Sequence, residues 1–217
     1  MKEQRQTTYF DDAARTWDEK PSRVKLAGAV AKAIDARIPL DSSMAALEYG
    51  CGTGLVSVAL APLLGSITAA DSSPEMLKVL KEKIKGMKIE NMSAMLLDLT
   101  QDYSMQRRFH LIYTSMTLHH IGPVADLIGE FHKLLYPGGW LAIADLDKEK
   151  GDFHGDAPGV AHHGFERRAL EKILKEKGLT GIQTVTAHEI RKEVRKGKIK
   201  TYPVFLMTGR KAGELSM

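Results

Sequence analysis

With 217 residues, 43% hydrophobic and 27% charged, the chain has the composition of an ordinary globular protein long enough to bury a full core. No stretch approaches the roughly 20 apolar residues of a membrane span, and the opening MKEQRQTTYF has no apolar region to act as a secretory signal. A single cysteine excludes an intramolecular disulfide, and these features together point to the cytoplasm. The net charge of +4 permits nucleic-acid binding without arguing for it.

In chain order, residues 7–38 read as two helices. Tyr9, Ala13 and Trp17 fall four apart on one stripe, and Val24, Ala27, Val30, Ala31 and Ile34 form a second. Pro21 and Ser22 stand where the second helix starts, and Pro39 closes it. The short apolar run 44–47 then delivers Glu48 into three alternating glycines, Gly50, Gly52 and Gly54, with an amphipathic segment directly behind. This is a strand, a tight turn and a helix. Glycines suit such a turn because they accept positive φ and let the backbone approach a ligand closely.

The glycine spacing excludes a dinucleotide fingerprint, since G-x-G-x-x-G needs its third glycine where this chain has Leu55. The pattern E-x-G-x-G-x-G instead resembles motif I of the class I S-adenosylmethionine-dependent methyltransferases. An acid such as Glu48 suits a ligand with an ammonium group and would be badly placed beside a pyrophosphate.

A second strand at 67–70 ends at Asp71, followed by SSPEMLKVLKEKIKG, in which Ser73 and Pro74 read as cap and first helical residue. Asp71 lies where a doubly wound sheet places the carboxylate that accepts ribose hydroxyls. A third strand at 93–97 ends at Asp98. A fourth, 109–113, runs into Thr114, Ser115 and the pair His119, His120. A helix over 123–135, a Pro-Gly-Gly turn at 137–139 and a fifth strand at 140–144 follow. The signatures F-x-L-I-x-x-S-x-x-L-H-H-I and L-L-x-P-G-G-x-L-x-I-x-D resemble the methyltransferase group that includes the ubiquinone and menaquinone biosynthesis enzymes. The resemblance covers residues 44–146 well and the remainder loosely.

Residues 147–165 are rich in Gly and Asp and hold His154, His162 and His163, too broken in pattern for a helix or strand. This loop follows the fifth strand at the edge where open α/β sheets bind ligands. A helix at 166–177 ends at Gly178, and strands at 180–186 and 202–208 flank RKEVRKGKIK, which carries six basic residues and one acid. No internal repeat or long linker divides the chain, so it reads as one domain: a helical segment 1–40, a cofactor-binding core 41–146, and an acceptor-side loop, helix and strands 147–217.

The resemblance implies an α/β, Rossmann-like, doubly wound sheet of seven strands with helices on both faces. Its strands are mostly parallel, with the last one antiparallel and inserted beside the fifth. It also implies S-adenosylmethionine as cofactor and S-adenosylhomocysteine as product. The cofactor surroundings would be Glu48, Gly50, Cys51, Gly52 and Gly54 at the first turn, Asp71, Ser72 and Met76 at the second, Asp98 with the Leu99 backbone at the adenine edge, and Ser115 near the methionine end. Tyr9, Phe10 and Trp17 would line a lid, although the same stripe also suits a segment packed on the core.

Methyl transfer needs alignment and exclusion of water more than acid or base help. A general base for an acceptor that needs one is sought among His119, His120, His154, His162 and His163, because imidazole titrates near neutrality. His119 and His120 also suit a merely structural role in the strand-to-helix turn. His154, His162 and His163 with Asp152 and Asp156 match no metal-ligand spacing, and no metal is expected. Cys51 lies inside the glycine turn, so no cysteine nucleophile is available.

The chain lacks the N/D-P-P-Y/F signature of methyltransferases that act on amino groups of adenine or glutamine. No aromatic residue interleaves the basic run 191–200 as a base-stacking platform requires. A small-molecule acceptor is therefore favoured over RNA or protein, with a binding protein that transfers no methyl as a third reading. The oligomeric state is not legible.

Overall fold

The structure, a computed structural model, describes residues 2–100, 105–155, 159–194 and 197–213, with side chains from residue 8 onward. Among the described residues seven strands form one sheet: β1 (Ala45–Tyr49), β2 (Ser66–Asp71), β3 (Met92–Leu96), β4 (Phe109–Ser115), β5 (Leu135–Leu146), β6 (Leu179–Val194) and β7 (Lys198–Lys211). Their order is β3-β2-β1-β4-β5-β7-β6. The pairs from β3 through β5 are parallel, while β7 runs antiparallel to both neighbours. This is the doubly wound sheet with an inserted final strand that the resemblance implies. The order reverses at β1 and β4, so the loops after those two strands diverge and leave a crevice at their carboxyl ends.

The helices are α1 (Lys2–Ala13), α2 (Pro21–Asp35), α3 (Leu55–Leu60), α4 (Pro74–Met87), α5 (Val124–Leu134) and α6 (Arg167–Glu176). The central strands are apolar on both sides because both faces are covered. On one face Ala46, Leu111 and Tyr113 pack with Val30, Ile34, Val56, Leu60 and Leu80. On the other, Leu47, Tyr49 and Ile112 pack with Leu127, Ile128, Phe131, Leu170 and Leu174. Among the described residues no helix is long and apolar enough to cross a membrane.

Three elements differ from their sequence outlines. The first helix ends at Ala13 and continues as a 3-10 segment, Ala14–Glu19, before Pro21 opens α2. The Pro-Gly-Gly turn is absorbed into β5, with a register irregularity between Phe109 and Leu111 of the facing strand and Gly138 at φ 78°. The last two strands are 16 and 14 residues long, so most of the basic run is paired strand rather than turn. The outer strand β6 is largely polar, which disguises it: a strand with one face open to water needs no apolar alternation on that side.

Candidate active site

The turn after β1 is built by close approaches. Gly50, Gly52 and Gly54 all have positive φ, at 73°, 53° and 76°. A Cβ on Gly50 would lie 2.3 Å from Thr117, and one on Gly54 would lie 2.4 Å from Leu80. Those two glycines admit neighbouring protein. Gly52 differs: the nearest atom to its hypothetical Cβ is the Met76 sulfur at 3.9 Å, so here the bare backbone borders space that a ligand can use. Met76 itself is buried, and Ser72 is exposed just beyond β2.

Asp71 joins the two turns of the crevice. Its Oδ2 accepts from the Gly52 N–H at 2.7 Å and its Oδ1 from the Ser73 N–H at 2.8 Å. Burial raises its pKa, and the two backbone donors oppose that shift. Each carboxylate oxygen keeps lone-pair capacity for a further donor. Asp98 is capped in a similar way, with Oδ1 accepting from Tyr49 Oη at 3.2 Å and from the N–H and hydroxyl of Thr100. The Leu99 N–H donates to Tyr49 Oη at 3.2 Å. The adenine-edge donor that the sequence suggested is thus engaged by a tyrosine that the sequence reading did not single out.

Glu48 is placed differently from its sequence role. The side chain is buried, and Oε2 accepts from the backbone N–H of Ser57 at 3.1 Å and from the Ser57 hydroxyl, which also meets Tyr113 Oη at 2.8 Å. Burial pushes its pKa up to about 8. Glu48 therefore ties β1 to the start of α3 from beneath the turn, and its carboxyl points to Ser57 rather than outward. Cys51 is buried beside it, with a thiol pKa raised well above the ordinary value by desolvation.

The N-terminal segment is fastened across this crevice. Asp11 accepts from the Ser73 hydroxyl at 2.5 Å, and Asp18 accepts from the Thr53 hydroxyl at 2.6 Å while pairing with Lys83 at 2.6 Å. Lys83 also donates to the Thr53 carbonyl at 2.7 Å. Trp17 lies under the Arg23 guanidinium, 3.5 Å from the ring centre, and Tyr9 is largely exposed. Phe10 is the aromatic that turns inward: it meets Trp17 on one side and the edge of His120 on the other, with centroids 5.8 and 5.3 Å apart.

Beyond Ser115, the chain passes through Met116 at φ 55° into a 3-10 turn, Leu118–His120. The Thr117 hydroxyl links this turn to the glycine turn, donating to the Gly50 carbonyl at 3.2 Å, with the Ser115 carbonyl at 3.1 Å as its alternative acceptor. Asp145, buried near the end of β5, holds His119 twice: Oδ2 accepts the His119 N–H at 3.2 Å, and Oδ1 lies 2.7 Å from Nδ1. His120 Nδ1 is 2.8 Å from the Gly159 carbonyl. His154 reaches over from the loop, so that its ring centre is 4.7 Å from that of His119 and 5.4 Å from that of His120. Burial pushes the pKa of His120 down to about 4 and that of His154 down to about 3.

The five histidines thus do not converge as one group. His119, His120 and His154 do. His162 is fixed by its Nε2 to the Ile121 carbonyl at 2.9 Å, and the Ala161 and His162 N–H groups both donate to the His119 carbonyl. His163 is half exposed beside Glu149. His162 therefore seats the loop on the turn, while His163 stays within the loop. Asp156 lies outside the described residues. The group that the sequence reading missed is Asp145, although it closes the quoted L-x-I-x-D signature: an acid near the end of a buried strand needs a partner, and His119 is that partner.

The basic run also has a local use. Lys192 donates to the Phe153 carbonyl and Lys200 pairs with Asp152, so both hold the His154 loop against the β6–β7 hairpin. Arg167 pins the other end of that loop through two bonds to Asp147, at 2.6 and 2.7 Å.

The family described as "Methyltransferase domain" matches residues 1–190. An uncharacterized methyltransferase of Schizosaccharomyces pombe is 33% identical over 159 residues, 66% of this chain and 56% of that protein. A ubiquinone biosynthesis O-methyltransferase of Xylella fastidiosa is 31% identical over 122 residues, 55% of this chain and 48% of that one. The chain therefore spans about half the length of these relatives. Among solved structures, a SAM-dependent methyltransferase from Aquifex aeolicus superposes with a TM-score of 0.65 at 21% identity, covering 91% of this chain and 97% of the other. The E-x-G-x-G-x-G turn, the acid at the end of β2, the inserted antiparallel β7 and a family match over residues 1–190 lead to one assignment: the chain belongs to the methyltransferase-domain family, with the fold of the class I S-adenosylmethionine-dependent enzymes.

Proposed function

We propose that this chain transfers a methyl group from S-adenosylmethionine to a small-molecule acceptor held at the His119–His120–His154 face of the crevice. The observation that carries this reading is the union of two groups on one sheet edge. The glycine turn and the His119 turn are joined by the Thr117–Gly50 hydrogen bond, and the N-terminal segment that crosses the first sends Phe10 to the second. A site with a cofactor wall, an apolar cover and a few fixed polar groups has the usual character of a small-molecule pocket.

The residues fit the cofactor. Gly52 offers uncovered backbone, Asp71 offers a carboxylate with unused lone pairs, and Asp98 stands at the neighbouring strand end. When bound, the sulfonium supplies an activated methyl group for in-line displacement. The protein's own part is to align the acceptor, exclude water with the N-terminal segment, and hold the imidazoles where the acceptor's nucleophilic atom lies. The name of the Xylella fastidiosa relative, an O-methyltransferase of ubiquinone biosynthesis, favours an acceptor hydroxyl. Use of Lys192 and Lys200 in fastening the loop removes two cations from any phosphate-gripping surface and so weighs against a nucleic-acid acceptor.

The test is release of S-adenosylhomocysteine from a panel of hydroxylated and thiol metabolites, run beside single-stranded RNA and a peptide mixture. Turnover on a small molecule, lowered about 10²–10⁴-fold by alanine at His119, His120 or His154 and little changed at His163, is expected. Turnover confined to RNA or peptide would overturn the acceptor class.

A further inference from the structure

His119, His120 and His154 carry more order than packing requires. One ring nitrogen from each lies within 4.8 Å of the other two. For two of the three, the remaining nitrogen is already fixed: His119 Nδ1 by Asp145 at 2.7 Å and His120 Nδ1 by the Gly159 carbonyl at 2.8 Å. An acceptor on Nδ1 makes that nitrogen the donor and leaves Nε2 with a bare lone pair. Among the described residues the buried Nε2 atoms of His119 and His154 have no hydrogen-bond partner, and His119 is only 1% exposed. A buried imidazole nitrogen without a partner is costly, and here two of them belong to a cluster of three.

We propose that His119, His120 and His154 bind one divalent transition-metal ion of the zinc class through Nε2 of each ring, with Asp145 and the Gly159 carbonyl orienting the first two. Three neutral imidazoles with an open fourth position is the ligand set of a catalytic rather than a structural zinc site. A carboxylate or a carbonyl on the far nitrogen is the usual outer support of such ligands. Adjacent histidines seldom share an ion, but here the 3-10 turn Leu118–His120 brings both rings to one side, with centroids 4.1 Å apart. A tetrahedral site with Zn–N near 2.05 Å needs ligand nitrogens about 3.3 Å apart, so the cluster must tighten. His154 lies on the loop 147–165 rather than on the sheet, and His119, clamped by Asp145, is the fixed point.

At the fourth position the ion would take the oxygen or sulfur of the acceptor and favour its deprotonated form, the proton leaving to solvent, as a bound metal does for water. This role rests on the methyl-transfer reading given above, whereas occupancy of the site does not.

The test uses the tag-free full chain, stripped with chelator and titrated with Co²⁺ alone, following the visible absorption bands of the ion, then displaced with Zn²⁺ and counted by elemental analysis. One equivalent per chain, with the bands of a four- or five-coordinate nitrogen site, is expected. His154→Ala and His120→Ala should each weaken binding at least 10-fold, and His162→Ala should leave it unchanged. Asp145→Asn, which removes an orienting group and no ligand, should weaken affinity about 10–100-fold while keeping the stoichiometry of one. Circular dichroism establishes that each variant is folded; should Asp145→Asn not fold, His154→Ala on the peripheral loop decides the matter. Absence of stoichiometric Co²⁺ binding, or binding unchanged in a His120→Ala, His154→Ala double variant, overturns the proposal. Since the readout needs no methyl acceptor, its failure is distinct from failure of the methyl-transfer reading.

Discussion

At the scale of single residues, the three glycines of one turn do different work, and substitution separates them. Valine at Gly52 would force a β-branched residue into positive φ and push its side chain toward the space beside Met76. Thermal unfolding should show a modest loss, while calorimetry should show S-adenosylmethionine affinity reduced at least 10-fold. Gly50→Ala meets the Thr117 side chain instead. It should cost about 1–3 kcal/mol of stability from strain at a special backbone position and a forced shift of the neighbour.

Glu48 gives a pH signature. Its folded pKa, about 8, lies above the ordinary glutamate value of 4.5, so the folded state holds a proton that the unfolded state releases in that window. At this group stability is fully kept below about pH 4.5 and is lost as pH rises toward 8. Glu48→Gln can still accept from Ser57 and has nothing to ionise. The variant's melting temperature, relative to the unsubstituted protein's, should rise between pH 5 and pH 8. A constant difference across that range would show that Glu48 is ionised in the folded protein.

At the scale of elements, the loop carrying His154 depends on a hairpin far away in sequence. Lys192 and Lys200 both reach it from β6 and β7. Alanine at both should raise amide hydrogen exchange in residues 149–155 and lower turnover without changing cofactor affinity; unchanged exchange would mean that the loop is held by Arg167 and its own contacts alone. The N-terminal segment is the second such element. Asp18→Ala removes partners from both Thr53 and Lys83 and should speed dissociation of S-adenosylhomocysteine, read by stopped-flow displacement, with little change in global stability.

For the molecule as a whole, the central sheet was the legible part. Apolar runs bounded by glycine and acid marked β1 and β2, and the mostly apolar run 109–113 marked β4, because parallel strands covered on both faces leave that trace. The position of β7 came only from the resemblance, since nothing in the local pattern of residues 202–208 distinguishes an inserted strand from an edge strand. The length of β6 was hidden by its polar, half-exposed face. At the site, Asp71 and the glycine turn stood out because motif spacing encodes them. Which of the five histidines come together did not, for that depends on the path of a loop whose sequence looks unstructured and on Asp145, whose partner is 26 residues away.

The most direct measurement is a calorimetric titration of the chain with S-adenosylmethionine, S-adenosylhomocysteine and NAD in parallel, for the unsubstituted protein and for Gly52→Val. One-to-one binding of the two sulfur ligands, none of NAD, and marked weakening in the variant are expected. Binding of NAD, or S-adenosylmethionine affinity indifferent to Gly52→Val, would contradict the assignment of the crevice after β1 and β2 as the methyl donor's site.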